Sequence, residues 1–592
     1  MQKKFLALID QYESCFKKDN IAFNILGYVK LLFVLITGAL LYFTLSKGFT
    51  WEFMLACAAA FIILIALWVY HGKIHESVNY SKGIISICRR QIDRITGDWA
   101  DFEDTGAQFV DAEHPYGCDL DIVGPNSLFQ YLNTTHTWHG RQAFANDLLQ
   151  PAYERGELLA RQEAVAELSS DIEFACNVQY HLSKIGTDSS ASDLENELKD
   201  ITPFMKHKAL KILLAYSPVL TFIFIVGIFA FQVKSLYLTA VIIVLIQAIT
   251  WVAGMPKTQR YLGAMSRLPY KLSAYSAVID ILRERDFSSE KLNQTKAKLN
   301  EAPQAIKDLS RIADKINIKH NGIIYFLANI FLLWDYECAL LLEGWKEKYA
   351  HLAGRWFETL GEFESLLCLS HFANVCNNTC FPTLSEKGGV IEAVGIGHPL
   401  LPNETRVSND FHFKSNIFII SGSNMSGKTT FLRTVGINLV LARAGGFVCA
   451  GRMTCSIFEI MTSMRINDDL NTGVSTFYAE LRRIKGIIEM ARRNPQMIFL
   501  IDEIFRGTNS VDRLIGAKTV ISKLGALGAA GIISTHDLDL CDMAGLFGRI
   551  ENHSFSEHYS NDKICFDYMM KPGKSMTTNA KYLMELVGIL EK

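Results

Sequence analysis

At 592 residues the chain has room for several domains, and its formal net charge of −2 gives no global electrostatic pull toward DNA, RNA or anionic lipid. Hydrophobic residues make up 49% against 20% charged, which is rich for a purely soluble protein, and the odd count of 13 cysteines, scattered singly, suits a reducing cytosol rather than a disulfide framework.

The first two dozen residues are polar and carry Lys3, Lys4, Lys17 and Lys18. Ile25 to Leu45 is then apolar except for Lys30, and Phe53 to Tyr70 has no charge at all. Each run is long enough to cross a hydrocarbon core of roughly 30 Å as a helix. A second pair follows at Ile212 to Phe231 and Leu236 to Ala253. Short connectors join both pairs, so each is expected to form a transmembrane hairpin, giving four spans. The connectors hold one lysine each, Lys47 and Lys234, while Lys73, Lys82, Arg89, Arg90, Lys206, Lys208, Lys211, Lys257 and Arg260 lie on the outer flanks. By the positive-inside rule the flanks, the termini and every large soluble segment face the cytoplasm of a multi-pass protein in the cell (inner or plasma) membrane. The first apolar run begins too late for a cleavable signal peptide and lacks a small-residue cleavage site. A fifth run, Ile323 to Trp334, is only a dozen residues and is expected to be a core helix.

Between the hairpins, Leu128 to Leu182 has helical periodicity, and Lys257 to Leu369 is again helical. Cys368, His371, Cys376 and Cys380 form the tightest metal-ligand-type group, but without the usual second pair they are expected to be buried or idle thiols. Pro382 and the glycines at 388, 389, 395 and 397 mark a change to strand-and-turn composition. The expected organisation is therefore an N-terminal hairpin region (1–120), an all-helical core and lever region with the inserted second hairpin (121–385), and an α/β P-loop NTPase domain (386–592).

That last domain opens on the buried-strand run Ile417-Phe418-Ile419-Ile420 and the turn Gly422-Ser423-Asn424-Met425-Ser426-Gly427-Lys428-Thr429-Thr430, with a helical run to about Ala444 behind it. This is G-x-x-x-x-G-K-[ST] in its required strand–loop–helix context. Gly422 and Gly427 let backbone N–H groups wrap ATP phosphates, and the helix start adds its positive end. Lys428 would reach the β- and γ-phosphates, and the Thr429 hydroxyl would sit on Mg²⁺. Farther on, Met497 to Ile501 is a second buried strand ended by Asp502-Glu503. Two adjacent acids there are costly unless they have work to do: Asp502 to hold the Mg²⁺ shell, Glu503 to polarise the attacking water. A third strand delivers Thr535-His536-Asp537 to the same edge, where His536 could sense the γ-phosphate. Ser475 is a good N-cap for an amphipathic helix with Phe477, Leu481, Ile484 and Ile488 on one face; either it caps that helix for stability alone, or the helix start offers a second anion site to another subunit's nucleotide.

These residues resemble the MutS family of ATPases. GSNMSGKTTFLRTVGINLVLARAGGFVCA is similar to the family's P-loop and following helix, and TSMRINDDLNTGVSTFYAEL (462–481) to its signature segment. FLIDEIFRGTNSVDR (499–513) is similar to its Walker B and D-loop, and STHD (534–537) to its switch histidine. Gly397-His398-Pro399 resembles the entry motif of the ATPase domain, and 571–589 its C-terminal close. More loosely, residues 124–151 and 161–168 resemble the family's helical core and lever region. The resemblance implies a dimer with composite ATP sites, in which Ser475 serves the partner's nucleotide, and a clamp closing on DNA as in mismatch repair. No N-terminal mismatch-reading domain with the family's Phe-x-Glu wedge is found, and a transmembrane hairpin occupies its place. The alternative is a membrane-bound mechanochemical or scaffolding ATPase acting on a protein partner. A transporter built like an ABC protein is weaker, because a dimer would have only eight spans.

Overall fold

A computed structural model describes residues 2–47, 51–151, 154–186, 211–212, 216, 219–224, 226–227, 234–263, 269–465, 476–505, 510–545, 548–560 and 563–575. The chain opens with two helices of 46 residues each, α1 (Gln2–Lys47) and α2 (Trp51–Thr96), packed along one another. Both run well past the apolar stretches that the sequence marks. The reason is a stripe of apolar residues at helical spacing inside the polar flanks. Phe5 and Ile9 face Ile84, Ile85 and Cys88, and the cluster closes against Cys176 and Tyr180. Close approach there needs Gly83, since a Cβ at that position would meet the Tyr180 ring at 2.2 Å.

Within the apolar stretches the side chains point outward, with Tyr28 76%, Trp51 71% and Trp68 71% exposed. Three described helical stretches, Gln2–Thr44, Met54–Thr96 and Tyr237–Leu262, are long and apolar enough to cross a membrane. Half of the expected arm 212–231 lies outside the described residues. Its partner arm extends from Lys234 to Leu262 (α7), and the two touch where Gln247 donates to the Thr221 hydroxyl at 2.8 Å.

The helical region contains α3 (Leu128–Leu132), α4 (Trp138–Leu149), α5 (Arg155–Ser170) and α6 (Ile172–Ser183) before α7. After it come α8 (Pro269–Glu284), α9 (Glu290–Lys298), α10 (Ala302–Ile316), α11 (Gly322–Leu332) and α12 (Trp334–Val375). The 42-residue α12 is the spine, packing on α4, α5, α7 and α10. Its crossing with α4 is close enough that a Cβ on Gly361 would meet the His139 backbone at 2.7 Å. The short α11 is not the expected core helix. Asn329 is its only buried residue, while Ile323 and Phe326 are 76% and 51% exposed.

The C-terminal domain begins where α12 ends. A four-stranded sheet runs in the order β1 (Thr383–Leu384), β5 (Arg452–Cys455), β2 (Val390–Ile396), β3 (Asn409–Lys414). A six-stranded sheet follows, in the order β10 (Lys563–Pro572), β9 (Ile550–Ser560), β4 (Ile417–Ser421), β8 (Ala530–Thr535), β7 (Met497–Asp502), β6 (Glu459–Ser463). Only β10 is antiparallel to its neighbour. Every residue of β4, β7 and β8 is buried, as a parallel sheet covered on both faces requires. The flanking helices are α13 (Lys428–Arg443), α14 (Thr476–Arg493) and α15 (Ser510–Ala526). On α14 the buried stripe is Glu480, Ile484, Ile487 and Ala491, and Leu481 turns out to be 39% exposed. A residue four beyond Phe477 lies on the rim of the stripe once the helix packs under β6 and β7.

One buried carboxyl ties the helical region together. Glu364 on α12 accepts from the His136 N–H at 2.9 Å and from the Thr137 hydroxyl. Burial pushes it from its ordinary 4.5 up to about 7, against the pull of those donors. A folded value above the unfolded one means that the folded state binds the proton more tightly. This site therefore loses stability as pH rises from about 4.5 to about 7. Glu364→Gln, which keeps the acceptor and cannot ionise, should flatten that part of the stability–pH curve. Thermal unfolding between pH 4.5 and 7.5 checks it, and parallel curves for the two proteins would refute it.

Candidate nucleotide site

The register of three neighbouring parallel strands builds the site. Ser421 of β4 is level with Thr535 of β8, and Ser534 is level with Asp502 of β7. The three carboxyl ends therefore finish within a residue of one another, where ligands of open α/β sheets sit. The loop after β4 carries the phosphate-binding turn, β7 ends in the acid pair, and β8 delivers His536.

In the turn, a Cβ on Gly422 would meet the Phe555 carbonyl oxygen at 2.6 Å, and Gly427 has φ 104°. Both positions require glycine. Lys428, the first residue of α13, folds back so that its Nζ donates to the carbonyls of Gly422 (2.7 Å) and Ser423 (2.8 Å). The ammonium thus lies across the mouth of the loop. The Ser426 hydroxyl is buried with no hydrogen-bond partner, and Ser423 donates to Glu557 at 2.6 Å. An orphaned hydroxyl inside a glycine cradle fits a group rich in acceptor oxygens, and a nucleotide phosphate is one.

The metal side of the site is also arranged. The Thr429 hydroxyl lies 3.1 Å from both carboxylate oxygens of the buried Asp502, and Ser534 donates to the same carboxylate. A hydroxyl and a carboxylate held together beside a phosphate loop are hard oxygen donors suited to Mg²⁺, which keeps several waters and takes few protein ligands. Glu503 sits at φ 57°, outside the comfortable region for a non-glycine residue, with its N–H on the Ser534 carbonyl at 3.0 Å. Its carboxylate lies 3.3 Å from His536 Nδ1. The acid and the histidine are therefore one linked unit at the strand ends.

The cavity, about 810 Å³ in all, is lined by these groups, by Asn424, Met425 and Thr430, and by the apolar side chains of Ile396, Leu401, Val407, Phe555 and Tyr568. His398 lines it too, and burial followed by the charges of Arg433 and Arg406 pushes its imidazole down to about 3, so it is neutral at physiological pH. Apolar lining beside a phosphate loop suits a nucleobase.

Several participants carried no motif. Tyr568 is held against Gly427 because Asn409 donates to its carbonyl (3.0 Å) and accepts from the Met570 N–H (2.7 Å). At the opposite wall Arg433 and Arg465 converge on Asp121, which belongs to the loop before α3. Beside it Asp119 accepts from the Thr462 hydroxyl (2.6 Å) and the backbone of Met464 and Arg465 (3.1 and 2.9 Å). Glu480 of α14 accepts from the Phe505 N–H at 2.8 Å, steadying the chain just past the acid pair. The only signal for the Asp119–Asp121 clamp was two acids in a turn of no periodicity, some 340 residues from their partners.

Ser475, with the rest of 466–475, lies outside the described residues, as do 506–509 of the expected D-loop and everything after 575. Cys368, His371, Cys376 and Cys380 are not brought together as a set of metal ligands among the described residues. Cys376 lies 3.6 Å from Cys449, His371 faces Gln179, and no metal-binding cluster is found among the described residues.

Comparison with known proteins bears on the C-terminal part of the chain. Residues 418–590 match the family model described as MutS domain V. The C-terminal domain is similar to that of MutS. The "DNA mismatch repair protein MutS" of Lactobacillus johnsonii is 29% identical over 245 residues, 39% of this chain and 28% of that protein. The proteins of the same name from Thermotoga neapolitana (30% over 240 residues, 39% and 29%) and Listeria welshimeri (32% over 232 residues, 38% and 27%) match likewise. The matched stretch thus spans less than a third of each relative's length. The match and the geometry together support an ATP-hydrolysing domain.

The division of labour in the site gives a direct test. Glu503→Gln should retain ATP binding and lose turnover by about 10²–10⁴-fold, the usual worth of a positioned acid or base. Lys428→Ala should weaken binding itself, because it removes the cation at the loop mouth. Nucleotide binding by equilibrium dialysis and phosphate release measure the two separately. Parental turnover in the Glu503 variant would overturn the assignment.

Proposed function

We propose that the chain is a membrane-anchored, Mg²⁺-dependent ATPase of the MutS kind, working as a homodimer whose helical region opens and closes with the nucleotide cycle. One observation carries the reading: Lys428, the Thr429–Asp502 pair and the Glu503–His536 pair converge at one end of a parallel sheet. Bound ATP would have its phosphates in the Gly422–Thr430 loop, and Thr429 with Asp502 would hold Mg²⁺, which neutralises charge between the phosphates. Glu503 would orient and deprotonate the attacking water, and His536 would hold that carboxylate in place while reporting on the γ-phosphate side. The face of the γ-phosphate left open suits donors from a second copy, and Ser475 ahead of α14 is the residue we assign to that role.

Anchoring rests on the outward-facing apolar side chains of α1, α2 and α7, in stretches long enough to span, with cytoplasmic soluble parts set by the flanking lysines and arginines. For what the clamp holds, DNA is the first reading, because the relatives matching the ATPase end are named DNA mismatch repair proteins. A protein partner in or near the membrane is the second, favoured by the bare helices themselves. Pull-down of detergent-solubilised protein with and without ATP, scored for both DNA and protein, decides between them.

Two outcomes are expected. The full chain should stay with membranes through alkaline carbonate and need detergent for release; release by carbonate alone would sink the anchoring. Mixing a Lys428→Ala chain with a Ser475→Ala chain, each inactive alone, should restore part of the ATPase, because one site of the mixed dimer carries both lesions and the other none. Heterodimers that form without recovering activity would refute the shared site.

A further inference from the structure

The short helix α11 (Gly322–Leu332) is built inside out. Its sequence, GIIYFLANIFL, has two polar side chains, and both are turned inward. Asn329 is fully buried and accepts from the Asp335 N–H at 3.0 Å, and the Tyr325 hydroxyl donates to the Asp335 carboxylate at 2.6 Å. The outward face holds Ile323, Ile324, Phe326, Leu327 and Phe331, with Leu332 at its end, all exposed. At 3.6 residues per turn the first five fall on one arc of roughly 160°. A helix facing water would reverse that arrangement, and an apolar arc of this width marks a contact surface.

We propose that α11 is a second kind of membrane contact, a half-submerged helix whose apolar arc lies among the acyl chains at the cytoplasmic boundary of the bilayer, docked against the candidate span α7. The proposal rests on the membrane-anchored reading and adds an element to it.

Three observations favour lipid as the occupant. The arc is continuous with a surface of the same chemistry: Trp251 of α7 packs edge-on against Tyr325 and Phe326, with ring centroids 5.9 and 6.0 Å apart, and its neighbours Ile249 and Val252 are themselves 61% exposed. The length and direction fit. Eleven residues reach only about 16 Å, half a hydrocarbon core, and the chain then turns by 78° into α12. A helix too short to cross, set at a sharp angle to the element that follows it, suits the boundary of a bilayer rather than its full depth. The edges fit too. Lys315 and the exposed Lys319 precede the helix, and the Trp334 indole follows it, donating to the Lys315 carbonyl at 2.8 Å. Lysines and tryptophan at the two ends suit a headgroup region.

Asp335 fixes the pose. This buried carboxylate accepts from Tyr325 of α11 and from Trp251 Nε1 of α7 (3.3 Å), and it sits on the first turn of α12. It joins the submerged helix, the candidate span and the spine at one point. Asp335 is thus a positioning residue for the membrane contact.

The test is photolabelling of the full-length protein in vesicles of phosphatidylcholine and phosphatidylglycerol carrying a phosphatidylcholine with a diazirine in its acyl chain, with labelled peptides read by mass spectrometry. Label is expected on 322–332 as well as on 28–43, 54–70 and 237–252. In a Phe326→Glu/Phe331→Glu variant the label on 322–332 should fall several-fold while that on 54–70 holds. Should that variant fail to fold, the parental labelling stands as the test by itself. Label on the three long stretches with none on 322–332 would overturn the proposal and leave the anchoring intact, and cross-linking of 322–332 to a second copy would do the same. An absence of label on 28–43 and 54–70 as well would instead bring down the anchoring on which the proposal rests.

Discussion

Everything chemical in this molecule depends on the register of β4, β8 and β7. Parallel strands cannot slide by one residue without exchanging their two faces, and both faces here are packed, so the register is fixed by burial on each side. That single constraint brings Ser421, Thr535 and Asp502 within one residue of the same level and sets the phosphate loop, the histidine and the acid pair at one edge. The hydroxyl of Ser534 then serves as a spacer, donating to Asp502 so that the carboxylate points at Thr429 rather than away from it. A slip of one residue would leave every motif present in the sequence and no site in the fold.

Around that edge the structure uses contacts from distant parts of the chain to hold groups that the motifs alone would leave loose. Asp119 and Asp121 reach in from the turn before α3 to fix the backbone and side chain of Arg465 and the guanidinium of Arg433. Tyr568, from the edge strand β10, covers Gly427 and is secured through Asn409 of the other sheet. The nucleotide pocket is therefore a meeting place of the helical region, both sheets and the C-terminal hairpin.

The P-loop, the acid pair and His536 were legible in the sequence because each is local: a few adjacent residues at the end of an apolar strand, where spacing alone implies geometry. Three long apolar helical tracts were legible for the same reason, as composition over some twenty residues. What escaped was long-range. The clamp at Asp119 and Asp121 joins residues more than 300 positions apart and leaves no periodic trace. The helical continuation of α1 and α2 was hidden because a two-residue stripe such as Phe5 and Ile9 is too sparse to stand out from lysines and glutamates. Leu481 was misplaced by one step of the helical wheel, which only the packed partner strands can resolve. With α11 a short apolar run gave the right element and the wrong side, since periodicity counts apolar residues and cannot say which solvent they face.

The spine helix α12 has a mechanical meaning beyond its packing. It runs without a break from Trp334 to Val375, and its two ends sit at very different places. One end holds Asp335 and the apolar helices. At the other, Asn403 donates to the Val375 carbonyl at 3.2 Å, and Arg406 reaches the sulfur of Cys376 at 3.1 Å; both belong to the loop whose Leu401, Thr405 and Val407 line the nucleotide cavity. Forty-two residues at 1.5 Å each make a rod of about 63 Å, so a tilt of about 5° at the cavity end carries the far end through roughly 5 Å. The geometry is that of a gear train with a large ratio: displacements too small to disturb the packed sheet become, at the other end of the rod, as large as a full helical turn.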